Sequence, residues 1–201
     1  MKVSPLAEKM ESFVRGLQNQ ICDALEAVDG SGKFQKVNWQ RPGGGGGESR
    51  VLTGGKVFEK AGVNVSAVHG ELPASILDKM KTKESTFFAT GISLVLHPHS
   101  PQVPTVHANY RYFEQPSRSW FGGGADLTPY VMSPEDFKHF HQVTQRACMG
   151  YKPDAYAMFK KACDEYFFIS HRGESRGIGG IFFDYLEDDK DASFEFVKKA
   201  G

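Results

Sequence analysis

In the stretch TVHANYR at residues 105–111, the alternation of an extended strand puts His107, Asn109 and Arg111 on one side and Val106, Ala108 and Tyr110 on the other. Residues 91–97 repeat the pattern, with Ser93 and His97 opposite Ile92, Leu94 and Leu96. A strand face meant only for water ordinarily carries Lys, Glu, Thr and Gln. A row of Ser, His, Asn and Arg can donate, accept and titrate, which equips a surface for a ligand; the competing reading is a solvated face. His107 and Arg111 carry the stronger case, because the period of two sets their common direction without any assumed tertiary fold.

Asp126 closes the stretch WFGGGAD at 120–126, where aromatic residues flank bare backbone and a single carboxylate. That composition suits a flat apolar ligand better than a phosphate, and beside such a ligand Asp126 would accept hydrogen bonds from N–H groups or serve as a base. A turn or helix cap ahead of Thr128 and Pro129 is the bland alternative. Helical spacing turns His141 inward with Phe137 and Phe140 and sets His171 on a stripe with Cys163 and Phe167, so His97, His107, His141 and His171 could face one interior region. Together they would form a metal site or an acid/base cluster; singly, each reads as a hydrogen-bonded core histidine. Arg50, Arg111, Arg118, Arg172 and Arg176 all lie within three residues of glycine or aromatic residues, where guanidinium groups can pair with carboxylates. The glycine run at 43–47 lacks the Gly-Lys-Ser/Thr of a phosphate loop and reads either as a linker or as a close backbone approach. No GxSxG elbow is present, and Cys148 and Cys163 sit on helix faces that look structural.

These side chains need a frame. Ser4 caps a helix that starts at Pro5 and carries apolar residues at helical spacing to about Asp29 and Gly30. Strand patterns follow at 34–39, 51–52, 57–58, 63–68, 87–97 and 105–113 with no crossover-length helix between them, which implies antiparallel pairing; a short helix is expected around 73–80. Helices return from Ser133 and from Pro153, the latter running towards His171; 179–186 reads as a buried strand and 191–199 as a helix. The expected fold is α+β, a large, mostly antiparallel curved sheet flanked by helices on both faces, in one domain spanning 1–201. The 201 residues are 40% hydrophobic, enough for a sizeable core, and 24 basic residues balance 24 acidic ones, which gives no support for a nucleic-acid or membrane-surface role. With three scattered cysteines, no signal-type apolar run and no stretch of transmembrane length, the expectation is a soluble cytoplasmic protein.

The strings RPGGGGGESRVL at 41–52, FEKAGVNVS at 58–66, SLVLHPH at 93–99, VPTVHANYR at 103–111, WFGGGADLTP at 120–129, CDEYF at 163–167, HRGE at 171–174 and RGIGGIFFD at 176–184 resemble oxygen-dependent coproporphyrinogen III oxidase over nearly the whole chain. The resemblance implies oxidative decarboxylation of two propionates of coproporphyrinogen III to vinyls, giving protoporphyrinogen IX in haem biosynthesis, with dioxygen as co-substrate, carbon dioxide and hydrogen peroxide among the products, and no organic cofactor. It implies His107 as proton donor, Ser93, Asn109, Tyr110 and Arg111 on the substrate, and Asp126 facing the pyrrole nitrogens as base. In bacterial relatives the four histidines, His97, His107, His141 and His171, are proposed divalent-metal ligands, whereas eukaryotic-type members are regarded as metal-independent, so a metal is left open. Family members continue past Gly201 into a further substrate-contacting region and much of a homodimer interface, so the chain is expected to match the N-terminal two-thirds. A non-catalytic tetrapyrrole carrier and a metal-dependent oxygenase are the alternative readings.

Overall fold

The computed structural model describes residues 3–201. Helix α1 (Pro5–Asp29) starts where Ser4 Oγ accepts from the Ala7 N–H at 3.2 Å, and it stops at Gly30, whose φ of 73° only glycine adopts cheaply. Strands β1 (Gln35–Gln40), β2 (Gly45–Thr53) and β3 (Phe58–Glu71) follow, then the short α2 (Ala74–Met80), then β4 (Thr86–Pro98), β5 (Thr105–Glu114) and β6 (Ser119–Thr128). Helices α3 (Pro134–Cys148) and α4 (Ala155–Tyr166) precede a small hairpin of β7 (Phe168–Ile169) and β8 (Glu174–Ser175), and β9 (Gly180–Leu186) and α5 (Lys190–Ala200) complete the chain. No helix among the described residues is long and apolar enough to cross a membrane.

The seven-stranded sheet has the order β1-β2-β3-β4-β5-β6-β9 and every neighbouring pair is antiparallel. One face is the core. Val63, Val65, Ile92, Tyr110, Phe121, Ile181 and Phe183 are each at most 4% exposed there, and each such side chain taken from water contributes about 1.5–3 kcal/mol. Met10, Val14 and Leu17 of α1 cover β3, β4 and β5. Phe194 and Phe196 of α5 pack on Phe121 and Phe183, and Phe140 of α3 sits by Leu96, Val106 and Leu127.

Helices α1, α3 and α5 crowd this face. Only the end of α4 reaches round the β9 edge to the other face, where Tyr166 stacks on Phe182 at 4.0 Å. One reading left open is decided, and one element differs from expectation. The glycine run at 43–47 is no linker, since Gly46 and Gly47 are paired within β2 on both sides and Gly45 is paired with β3. The helix after Pro153 ends at Tyr166, which leaves His171 in the exposed turn between β7 and β8.

Three polar contacts tie α1 to the sheet. Glu114 of β5 accepts from the Ser4 N–H and Oγ–H at one end. Gln18 donates to the carbonyls of Glu48 and Val63 in the middle, at 3.1 and 2.9 Å. At the other end the Asp29 carboxylate accepts from the backbone N–H of Gly32, Lys56, Val57 and Phe58, at 2.6, 3.0, 2.9 and 3.1 Å, and so holds the turn before β1 and the β2–β3 turn together.

The Phe58 N–H bond outweighs the cost of burial, and with the other backbone donors it holds the Asp29 carboxyl far below the usual carboxylate range. A carboxyl depressed in the folded state stabilises the fold above its unfolded pKa of about 3.9, and that stability drains away as pH falls towards the folded value. The urea midpoint should therefore fall steeply as pH is lowered below about 4, and Asp29→Asn should be less stable at neutral pH with a shallower acid decline. Parallel declines in the two proteins would contradict this role.

Candidate active site on the open sheet face

The uncovered face is ordered into rows by the register of its strands. One row runs Trp39, Gly47, Ser66, Gly91, Arg111, Gly122; the next runs Val37, Ser49, Asn64, Ser93, Asn109, Gly124, Phe182; a third runs Val51, Gly62, Val95, His107, Asp126, Gly180. Directly paired residues share a face, so these rows lie side by side. A cavity of about 380 Å³ lies over the first two, lined by Trp39, Ser49, Asn64, Ser93, Asn109 and Arg111 among others. Larger hollows of about 640 and 700 Å³ lie at the sheet rim, one by Glu114 and Lys190 and one by α1 and the start of β2; none of the three includes a residue of the His107 row. Above the first row, Phe87, Phe113, Trp120 and Tyr185 stack in sequence at centroid distances of 5.6, 4.5 and 5.1 Å, an aromatic border to the polar floor.

His107 and Asp126 are cross-strand partners, and His107 Nδ1 lies 2.8 Å from Asp126 Oδ1. Arg176 closes on the same carboxylate with a two-pronged fork, Nε to Oδ2 at 2.9 Å and Nη2 to Oδ1 at 2.8 Å. Asp126 is 1% exposed, so its charge stands on these partners rather than on water. Burial pushes its carboxyl up, but the hydrogen bonds and charges of His107 and Arg176 outweigh that and hold it below the usual range. An ionised carboxylate only accepts, so Nδ1 carries the proton and Nε2 of the neutral ring is bare. Arg176 Nη2 also approaches Nδ1, at the longer distance of 3.5 Å.

Arg176 itself is braced. Its guanidinium carbon lies 3.9 Å from the Phe167 ring centroid, and its backbone N–H donates to Phe167 O at 3.1 Å. The following loop is laced to β6 by Ile178 N–H to Leu127 O at 3.0 Å and Leu127 N–H to Gly179 O at 3.2 Å. Gly177 makes that approach feasible, since its φ is +57° and a Cβ there would come within 2.1 Å of Leu127 O. His141 holds the same loop, with Nε2 at 3.1 Å from Ile178 O and Nδ1 at 2.9 Å from Tyr156 Oη.

Arg111 leans over Gly122, where a Cβ would lie 2.9 Å from Nη2, and it donates to Asp184 Oδ2 at 2.8 Å and to Asn109 Oδ1 at 3.1 Å. Ser93 pairs with Asn109 in the middle row. Tyr110 is a correction to the expected substrate set. The alternation of β5 buries it on the helix-covered face at 4% exposure, where its hydroxyl donates to Ala200 O. The expectation that Asp126 faces a pyrrole N–H also meets a different geometry, because both oxygens are engaged and the side chain is buried.

The four histidines do not form one donor set. His97 and His171 are exposed, both ring nitrogens of His141 are engaged, and Nδ1 of His107 is on Asp126. Among the described residues no group of three or more His, Cys, Asp or Glu side chains could hold a metal ion, so the residues do not fit a four-histidine centre. Buried Cys148 and Cys163 have their thiols pushed up to about 11 and about 12 by burial, which suits neither nucleophile nor ligand at neutral pH. In the sequence Arg176 stands out only as one of several arginines, and Trp39, Asn64 and Asp184 do not stand out as site residues. Asn64 alternates cleanly with Val63 and Val65, which is the signal that could have found it; Arg176 and Asp184 sit 50 and 73 residues from the partners they hold.

The family model of coproporphyrinogen III oxidase matches residues 9–201. The chain is 57% identical over 181 residues to an oxygen-dependent coproporphyrinogen-III oxidase of Prochlorococcus marinus, covering 89% of the chain and 53% of that relative. It is 56% identical over 181 residues to the oxygen-dependent coproporphyrinogen-III oxidase of Parasynechococcus marenigrum, covering 89% of the chain and 50% of the relative. To coproporphyrinogen-III oxidase 1, chloroplastic, of Arabidopsis thaliana it is 49% identical over 201 residues, covering 92% and 52%. The chain thus spans about half the length of these curated relatives, less than the two-thirds expected.

Removing Arg176 would leave a buried carboxylate without its fork. Arg176→Met should lower the unfolding free energy by about 2 kcal/mol, below the 3–5 of a fully enclosed pair because the arginine side is 38% exposed to screening solvent. Asp126→Asn in the Arg176→Met background should recover part of that loss in urea unfolding. Strictly additive losses would contradict the coupling.

Proposed function

The chain belongs to the coproporphyrinogen III oxidase family, and from that premise we propose that its open sheet face takes part in the oxygen-dependent oxidative decarboxylation of two propionates of coproporphyrinogen III to vinyls, giving protoporphyrinogen IX. The observation that carries the reading is the alignment of the His107–Asp126 pair, the amide and hydroxyl row and Arg111 on one face bordered by aromatic rings. The substrate is a broad apolar macrocycle with four anionic arms, and such a face offers rings for the body and charge for the arms.

Each conversion breaks one propionate C–H and the bond to the carboxylate. The carboxylate leaves as carbon dioxide, the released electron pair closes the vinyl double bond, and two electrons pass to dioxygen. Dioxygen leaves as hydrogen peroxide with one proton from the C–H and one from the imidazolium of His107, whose bare Nε2 takes that proton from solvent before each transfer. His107 and Arg111 are four residues apart on β5, about 13 Å along the strand, too far to serve one propionate. In this reading Arg111 anchors one arm, Asn109 and Ser93 hydrogen-bond across the middle, and the reacting arm lies by His107. Asp126, engaged on both oxygens, acts through His107: it fixes which ring nitrogen carries the proton and stabilises the imidazolium before transfer. The homodimer of the full-length form and a cytoplasmic location belong to the same reading; three buried free cysteines fit a reducing compartment.

The test is aerobic incubation with coproporphyrinogen III, with and without chelator, on this chain and on a form carrying the remaining length of its relatives. Carbon dioxide release that stops without oxygen supports the reading; binding without turnover in both forms would refute it in favour of a carrier. In the active form, His107→Gln should lower kcat about 10²–10⁴-fold with little change in KM, whereas Arg111→Ala should act mainly on KM. The reverse split would contradict the division of roles.

A further inference from the structure

Trp39 lies on β1, the outermost strand of the sheet, whose six residues are all exposed. Edge strands ordinarily carry charge, and an indole left 37% exposed there gains little from the core. Its ring is nonetheless held in place. It packs against Gly47, where a Cβ would come within 2.5 Å of Cζ2 and 2.8 Å of Cε2. Beyond Gly47 the same row continues through Ser66 and Gly91 to Arg111, a floor almost without side-chain bulk. From Gly47 to Arg111 is three strand spacings, about 14 Å. A trench with an aromatic wall at one end, small residues along the bottom and a guanidinium at the other takes a flat apolar body with an anionic arm.

We propose that Trp39 is a ligand-binding residue, its indole packing against one pyrrole unit of the tetrapyrrole while Arg111 holds an acidic arm across the trench. The inference rests on the reading of this face as a tetrapyrrole surface and names a contact which that reading does not require. Trp39 and Trp120 are the chain's two tryptophans, so the Trp39 indole N–H resonance is assigned by its loss in Trp39→Phe.

Oxidised coproporphyrin III, which keeps the four propionates but cannot undergo the reaction, is titrated into the chain while the two indole N–H resonances are followed by heteronuclear NMR and affinity by the porphyrin's visible band. The expected result is a ring-current shift at the Trp39 indole, roughly tenfold weaker binding in Trp39→Ala, and recovery to within about threefold in Trp39→Phe. Binding that Trp39→Ala leaves unchanged, with Trp39 unshifted, would overturn the assignment while leaving the tetrapyrrole surface in place. Absence of binding by the unaltered chain would overturn both.

Discussion

The register that carries one row of residues from β2 to β9 is the constraint on which this structure depends, because Val51, Gly62, Val95, His107, Asp126 and Gly180 line up only if every strand pairing holds its place there. A slip of one residue at any ladder would send one set of polar side chains into the core and the apolar set into water. The opposing face prevents it. Val63, Val65, Ile92 and Tyr110 are buried beneath α1, and Glu114, Gln18 and Asp29 fasten that helix at its start, middle and end. The site is thus positioned by packing on the side of the sheet that takes no part in its chemistry.

Within the site the decisive balance is electrostatic. A carboxylate 1% exposed, as Asp126 is, would ordinarily favour its neutral form, yet the Arg176 fork and His107 hold it ionised. That condition makes it a weak base and a strong orienter. The imidazole is left with one nitrogen committed and one bare, the state from which a proton can be taken up on the open face and then delivered to a ligand there. Phe167, Gly177 and His141 all serve to bring Arg176 to this point, which accounts for a half-buried histidine on α3 without a metal.

Much of this was legible beforehand, for reasons that can be named. Ser4, Pro5 and Gly30 bound α1, Ser133 and Pro134 start α3, and the alternation in β3, β4 and β5 separates the two faces residue by residue. That alternation also puts Tyr110 with Val106 and Ala108, and the structure follows the period rather than the family expectation. β6 was opaque as a strand because its three glycines carry no pattern, and it is held extended by ladders on both sides. His171 misleads because its spacing continues the stripe of α4 past the point where Phe167 N–H turns back to Cys163 O and the helix stops. The pairings of Arg176 with Asp126 and of Arg111 with Asp184 are long-range contacts that no local spacing announces.

The central claim is that Asp126, held ionised by Arg176, dictates the protonation pattern of His107. The most direct measurement is the ring-nitrogen NMR spectrum of His107 in its neutral form, in the unaltered chain and in Asp126→Asn. The account predicts a proton on Nδ1 and a bare Nε2 in the first, and a mixture of tautomers in the second. A dominant Nε2–H tautomer, or a spectrum indifferent to Asp126, would contradict it.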